Sequence, residues 1–140
     1  MEKRYFKIDE IAAKTGISKR ALRYYEEINL IIPKRADSGY RIYSDEDLEK
    51  INKIKELKES LGFTLKDIKY ILELEKNVKE VLTGDVSEVS MVDNAIVMME
   101  NLIQLIKKKE ETIKNTEVKC NEILQKLIKI KGNIGNIKGD

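Results

Sequence analysis

The chain has no histidine, one cysteine, Cys120, and one proline, Pro33. Without histidine there is no imidazole for general acid/base work and no His-based metal site. A single thiol excludes an internal disulfide framework. Metal capture asks for two or more soft ligands converging, so Cys120 reads as a small buried hydrophobe, with a redox or cross-dimer thiol as the alternative. No nucleophile stands beside a base, so no catalytic residue, no metal and no cofactor is assigned, and an enzyme is not expected. No uninterrupted apolar run reaches 18 residues, and the charged opening MEKRYFK leads straight into an amphipathic pattern. These features predict a cytoplasmic protein with no membrane association.

What is present is charge and helical pattern. With 37% charged residues and seven glycines in 140 residues, the composition predicts a mainly α protein with one small core and an extended element. Net charge is only +2. Its distribution is uneven: residues 1–43 hold ten Lys/Arg against six Asp/Glu, whereas residues 71–140 hold eleven against twelve. The basic excess lies at the amino end, as an electrostatic footprint for nucleic acid would.

Ile8, Ile11, Ala12 and Ile17 flank Thr15-Gly16, a pattern that predicts a short helix ended by glycine. Ser18 then caps a second helix whose residues divide into two arcs at 100° intervals. Ala21, Leu22, Tyr25 and Ile28 share the inner arc; Lys19, Arg20, Arg23, Tyr24 and Glu27 share the outer one. Helix, glycine turn and basic second helix is the helix-turn-helix plan, in which the second helix enters the major groove. The alternative for Lys19, Arg20 and Arg23 is an ordinary solvated face. The next residues of the chain favour DNA: Asn29 suits a left-handed helix end, Leu30-Ile31-Ile32 reads as a short apolar strand, and Lys34-Arg35 and Tyr40-Arg41-Ile42-Tyr43 flank the turn Asp37-Ser38-Gly39. A basic hairpin after a helix-turn-helix is a wing, with arginines suited to phosphates. Alternation sends Tyr40 and Ile42 to one side, the expected core side, and Arg41 and Tyr43 to the other.

Ser44 to Asp47 resembles a capping box that starts a helix through Leu48, Ile51, Ile54, Leu57 and Leu61, ended by Gly62. Thr64 and Asp67 begin another, with Leu65, Ile68, Ile71 and Leu72 on its apolar face. Residues 75–90 read as a connector, with a break at Thr83-Gly84-Asp85. From Glu88 to Lys131 neither proline nor glycine occurs, and Val92, Met99, Ile106, Ile113, Cys120, Leu127 and Ile134 recur every seven residues. That is a coiled-coil a position, with Ala95, Leu102, Lys109, Thr116, Ile123 and Ile130 at d. Such a helix extends about 65 Å, more than a small module can cover, so its stripe is expected to bury against a second copy. The expected dimer interface is Val92, Met99, Leu102, Ile106, Ile113, Cys120, Ile123 and Leu127. Gly132, Gly135 and Gly139 are expected to fray residues 132–140.

The stretch LRYYEEINLIIPKRADSGYRIY resembles the signature of the MerR (mercury-resistance-regulator) family of bacterial transcription regulators, in which an R-Y-Y-E recognition helix is joined to a G-Y-R-x-Y wing. The likeness covers roughly residues 5–74. It implies that Lys19, Arg20, Arg23 and Tyr24 face DNA from the helix, and that Arg35, Arg41 and Tyr43 contact the backbone from the wing. It further implies a second wing around LGFTLKDI, placing Lys58 and Lys66 near phosphates; solubilising surface lysines are the alternative. Asn29 stands where the family usually has glycine, and Lys7 where a Ser/Thr cap is usual.

The expected architecture is a winged helix-turn-helix domain over 1–74, a connector over 75–90, a coiled-coil helix over 91–131, antiparallel in its dimer by resemblance, and a frayed tail. The expected function is a homodimeric, sequence-specific regulator of double-stranded promoter DNA that, by resemblance, bends and untwists the promoter spacer for RNA polymerase. No separate effector domain is expected. A small effector would sit at the dimer interface or near residues 75–90, or none is needed. The rival is an architectural or recombination-accessory DNA binder with the same fold.

Overall fold

The protein is described by a computed structural model covering residues 4–84 and 88–138. It divides into two compact units, Met1–Lys76 and Asn77–Asp140.

The first unit begins with a strand that the sequence pattern does not announce, β1 (Tyr5–Lys7), which runs directly into α1 (Ile8–Thr15). The Glu10 carboxylate accepts from the Lys7 N–H at 3.2 Å, so an acid three residues on completes a start that has no Ser/Thr cap. At the other end Gly16 adopts φ +75°, and its N–H returns to the Ala12 carbonyl at 2.9 Å. The buried Thr15 hydroxyl donates to the Ile11 carbonyl at 2.8 Å and accepts from the Ile17 N–H at 3.2 Å, which rigidifies the turn. Ser18 then caps α2 (Lys19–Glu27) by accepting from the Ala21 N–H at 3.1 Å. Asn29, at φ +59°, reverses the chain out of α2.

Leu30 and Ile31 are fully buried, but neither belongs to a strand, and Ile32 points to solvent. The expected apolar strand here is therefore a buried extended link: it has core contacts and no ladder partner. The wing comes next as β2 (Lys34–Arg35) and β3 (Arg41–Ser44), closed by a turn in which Gly39 takes φ +90°. The sheet order is β1-β3-β2, all antiparallel, with Phe6 opposite Tyr43 and Arg35 opposite Arg41.

A complete capping box starts α3 (Asp45–Lys55): Ser44 Oγ accepts from the Asp47 N–H at 3.1 Å, and Asp47 accepts from the Ser44 N–H at 2.9 Å. The helix loosens into a π turn over Glu56–Ser60 before α4 (Leu65–Leu82), where Thr64 and Asp67 repeat the capping exchange. The core is built from Ile11, Leu22, Tyr25, Leu30, Ile31, Tyr43, Ile51, Ile54, Ile68 and Leu74. Two lysines finish the helix-turn-helix from outside it. Lys55 donates to the Thr15 carbonyl at the end of α1, and Lys69 donates to the Ile28 carbonyl at the end of α2 at 3.3 Å. A cation at the negative end of a helix dipole satisfies carbonyls that have no intrahelical partner.

Helix α4 continues to Leu82, into the expected connector, because Ile71, Leu74, Val78 and Val81 keep the three- and four-residue spacing. Part of the expected connector, up to Leu82, is therefore helical, and the next helix begins at Val89. Of the expected break, Gly84 takes φ +82°, and Asp85 lies outside the described residues. In the second unit the last element, α5 (Val89–Lys138), is 50 residues long, or about 75 Å. Asn77 Nδ2 lies 3.4 Å from Met98 Sδ, and Ala95 is buried. Beyond Glu110 the helix is exposed on all sides. The expected fraying at Gly132 and Gly135 is corrected, because the helix passes through both to Lys138. Each glycine weakens helix by about 1 kcal/mol relative to alanine, which does not end a helix already propagating from upstream. Gly139 lies outside the described residues.

Gly16→Ala is expected to destabilise the first unit by about 1–2 kcal/mol, the cost of a left-handed conformation for a residue with a Cβ. The added methyl would also lie 3.1 Å from Lys55 Nζ, against the cap of α1. Urea denaturation checks this: an unchanged midpoint would contradict it.

Candidate nucleic-acid interface

The outer face of α2 carries Lys19, Arg20, Arg23 and Tyr24, all exposed, while Leu22 and Tyr25 on the opposite arc are buried. Ser18, Arg20, Ala21, Arg23, Tyr24 and Glu27 line a shallow concavity along this face. Lys19 pairs with Asp9 at 2.6 Å. The hydrogen bond from Lys19, and then its charge, hold the Asp9 carboxyl below the usual carboxylate range. Both groups are well exposed, so the pair orients Lys19 more than it stabilises the fold.

The wing arginines converge on one acid to which the sequence pattern assigns no role, Glu26 in the last turn of α2. Its Oε1 accepts from Arg35 Nη2 at 3.3 Å, and its Oε2 accepts from Arg41 Nε. Arg35 also donates from Nη1 to the Gly39 carbonyl at 3.1 Å, so one side chain ties turn, strand and helix together. The hydrogen bond to Glu26 raises the pKa of Arg41, outweighing the opposing effect of burial. The available signal for Glu26 is an acid at the end of the basic helix, eight residues before a strongly basic hairpin.

Tyr43 is corrected: expected to contact DNA beside Arg41, it is fully buried. The alternation itself holds within β3, with Arg41 and Tyr43 on one face and Ile42 on the other. The faces are reversed with respect to the core. Tyr43 stands directly opposite the buried Phe6 of β1, so the face carrying Tyr43 packs inward, and Arg41 on that face is accommodated by Glu26. Tyr40, expected in the core, is 66% exposed with Lys7 Nζ 6.0 Å from its ring centroid, and Ile42 is half-buried. The unannounced β1 explains the error, since a two-stranded hairpin leaves the inward face undetermined.

Among the described residues the buried Tyr43 hydroxyl has no hydrogen-bond partner. Burial, and then the charge of Glu26, push its pKa upward. Lys58 and Lys66 are both exposed, the former with Nζ 6.0 Å from the Tyr25 ring centroid. Of the expected dimer residues, Val92 and Leu102 are half-buried within the chain, and Met99, Ile106, Ile113, Cys120, Ile123 and Leu127 are exposed.

Residues 6–75 match the model of the MerR HTH family regulatory proteins. The chain is 42% identical over 76 residues to the HTH-type transcriptional regulator YfmP of Bacillus subtilis, covering 54% of each protein, or about half the length of that relative. It is 34% identical over 122 residues to the mercuric resistance operon regulatory protein of Bacillus cereus, covering 84% of this chain and 86% of that protein. Among solved structures, a putative transcriptional regulator from Listeria monocytogenes shares the fold with a TM-score of 0.52 at 22% identity, over 95% of this chain and 96% of that one.

Tyr43→Phe removes a buried hydroxyl that has no partner among the described residues, so at pH 8 the variant is expected to be at least as stable as the parent. A raised phenol pKa favours the protonated form in the folded state. Its contribution is therefore complete below about pH 10, the ordinary tyrosine value, and is lost as pH rises through the higher folded value. Urea midpoints at pH 8 and pH 11 should show the parent losing more stability than Tyr43→Phe; equal losses would contradict the assignment.

Proposed function

Because the chain belongs to the MerR family of regulators, we propose that it is a sequence-specific DNA-binding protein that controls transcription as a homodimer on two-fold symmetric promoter sites. The observation that carries this reading is a continuous basic surface: Arg20, Arg23 and Tyr24 exposed along α2, with Arg35 and Arg41 gathered at its carboxy-terminal end by Glu26. An α2 seated in the major groove would present Arg20 and Arg23 to base edges or phosphates, and the wing arginines would grip the flanking backbone. Lys58 and Lys66 would add phosphate contacts from a second wing. Tyr43 plays no part in contact; it supports the wing from beneath.

The second copy is supported by α5. Ile106 and Ile113 lie on its seven-residue stripe, and Ile113 is 67% exposed within one chain. An apolar seam of this length is unfavourable in water and is covered by the same seam of a partner, antiparallel by family. By length and composition alone α5 is also long and apolar enough to cross a membrane. Within this family the helix reads as the coiled coil, and Lys107, Lys108, Lys109, Glu110 and Glu111 break its apolar character midway. A cytoplasmic location goes with this reading. Two recognition units held at a fixed separation would bend and untwist a promoter spacer, a deformation offset by helix and wing contacts, and so align promoter elements for RNA polymerase. An effector, if one acts, would bind where α5 meets its partner.

Mapping of bound sites across the genome tests the function. Occupancy concentrated in promoter spacers is expected, whereas broad coverage without promoter preference would favour an architectural DNA binder. Arg23→Ala is expected to weaken binding to a mapped site about tenfold or more; undiminished affinity would count against the assigned face. Ile113→Asp should shift sedimentation toward monomer without altering the first unit's thermal unfolding, and an unchanged dimer would contradict the α5 interface.

A further inference from the structure

We infer that Glu26 is a positioning residue for DNA recognition: one carboxylate aims two wing arginines, so that their remaining donors meet backbone phosphates in a fixed register with α2. The inference rests on the proposed DNA-binding function.

Three observations carry it. Arg35 and Arg41 are directly opposed on β2 and β3, an arrangement of like charges that is destabilising across an antiparallel pair. Something must hold them together, and each is taken by a different oxygen of Glu26. The side chain of Glu26 is only 22% exposed and that of Arg41 27%, so the group is more constrained than an ordinary surface pair. Finally, the donors in use leave others available. Arg41 is held through Nε, and a guanidinium has five N–H donors in a rigid fork. Held through Nε, Arg41 keeps its two terminal NH2 groups clear of Glu26, the donors with which arginine can bind phosphate bidentately; Arg35, with Nη2 on Glu26 and Nη1 on the Gly39 carbonyl, keeps Nε and one N–H on each terminal nitrogen.

A simpler account makes Glu26 a counter-charge. The two accounts predict opposite signs. A counter-charge weakens attraction to every phosphate, so its removal should tighten binding to any DNA. A positioning group orders the arginines against one register, so its removal should weaken specific binding and spare non-specific binding.

The test compares wild type, Glu26→Gln and Glu26→Asp in the full-length chain on two duplexes of equal length: the sequence that wild type enriches from a random duplex library, and a scrambled version. Glu26→Asp keeps the charge and shortens the reach by one methylene. Both variants are expected to bind the enriched duplex about tenfold more weakly, the range for losing one charge-assisted hydrogen bond. Neither should bind the scrambled duplex more weakly than wild type. The salt dependence on the enriched duplex should become shallower by about one to two phosphate contacts.

The inference is overturned if Glu26→Asp behaves as wild type, if Glu26→Gln tightens both duplexes, or if neither variant changes either affinity. It is also overturned if both duplexes are lost in parallel with a lowered Tm, since that reports only a folding role; should Glu26→Gln not fold, Glu26→Asp alone is read by the same criteria. A wild type that enriches no sequence would overturn the DNA-binding function together with this inference, which distinguishes the two failures.

Discussion

A carboxylate at the end of α2, Glu26, accepts from two arginines that project from opposite strands of the wing. Remove it, and two like charges in direct register would repel without a common partner; keep it, and the hairpin is fastened to the helix that precedes it. This contact makes helix and wing one surface. The hairpin has only two residue pairs between β2 and β3, too few for independent stability. Its geometry therefore depends on β1, paired on the other side of β3 with Phe6 directly opposite Tyr43, and on Glu26.

The same economy governs the helix-turn-helix. The carbonyls at the ends of α1 and α2 receive their cations from later elements, Lys55 at the end of α3 and Lys69 in α4. The recognition helix is thereby set by residues further along the chain, and its outer face needs none of its own for support. That frees Arg20, Arg23 and Tyr24 to remain exposed.

Local chemistry makes much of this legible. Ser18, Ser44 and Thr64 accept from the N–H three residues on, and Gly16 and Asn29 take the left-handed conformations at the helix ends. The two arcs of α2 divide as their 100° spacing requires. What escapes is tertiary. Tyr5–Lys7 has three residues and a charged edge, too little pattern to announce a strand, and without it the inward face of β3 has no marker. Tyr43 is consequently expected on the DNA side, and Glu26, whose partners lie 9 and 15 residues away, has no role visible in the sequence. The glycines near the end of α5 mislead in another way: helix propensity is weak against 43 residues of uninterrupted helix preceding Gly132.

In the proposed dimer the long helix would convert one such surface into a pair. Beyond Glu110, the stripe of Ile113, Ile123 and Leu127 lies in water along α5, with nothing among the described residues of its own chain to cover it; a second copy, as proposed, would. Recognition then becomes a matter of separation and symmetry as much as of base contacts. Hydroxyl-radical footprinting of wild-type protein on a mapped site tests that claim most directly. Two equivalent protected patches on one face of the duplex, related by a two-fold axis and separated by whole helical turns, are expected; a single patch, or uniform protection along the duplex, would contradict the account.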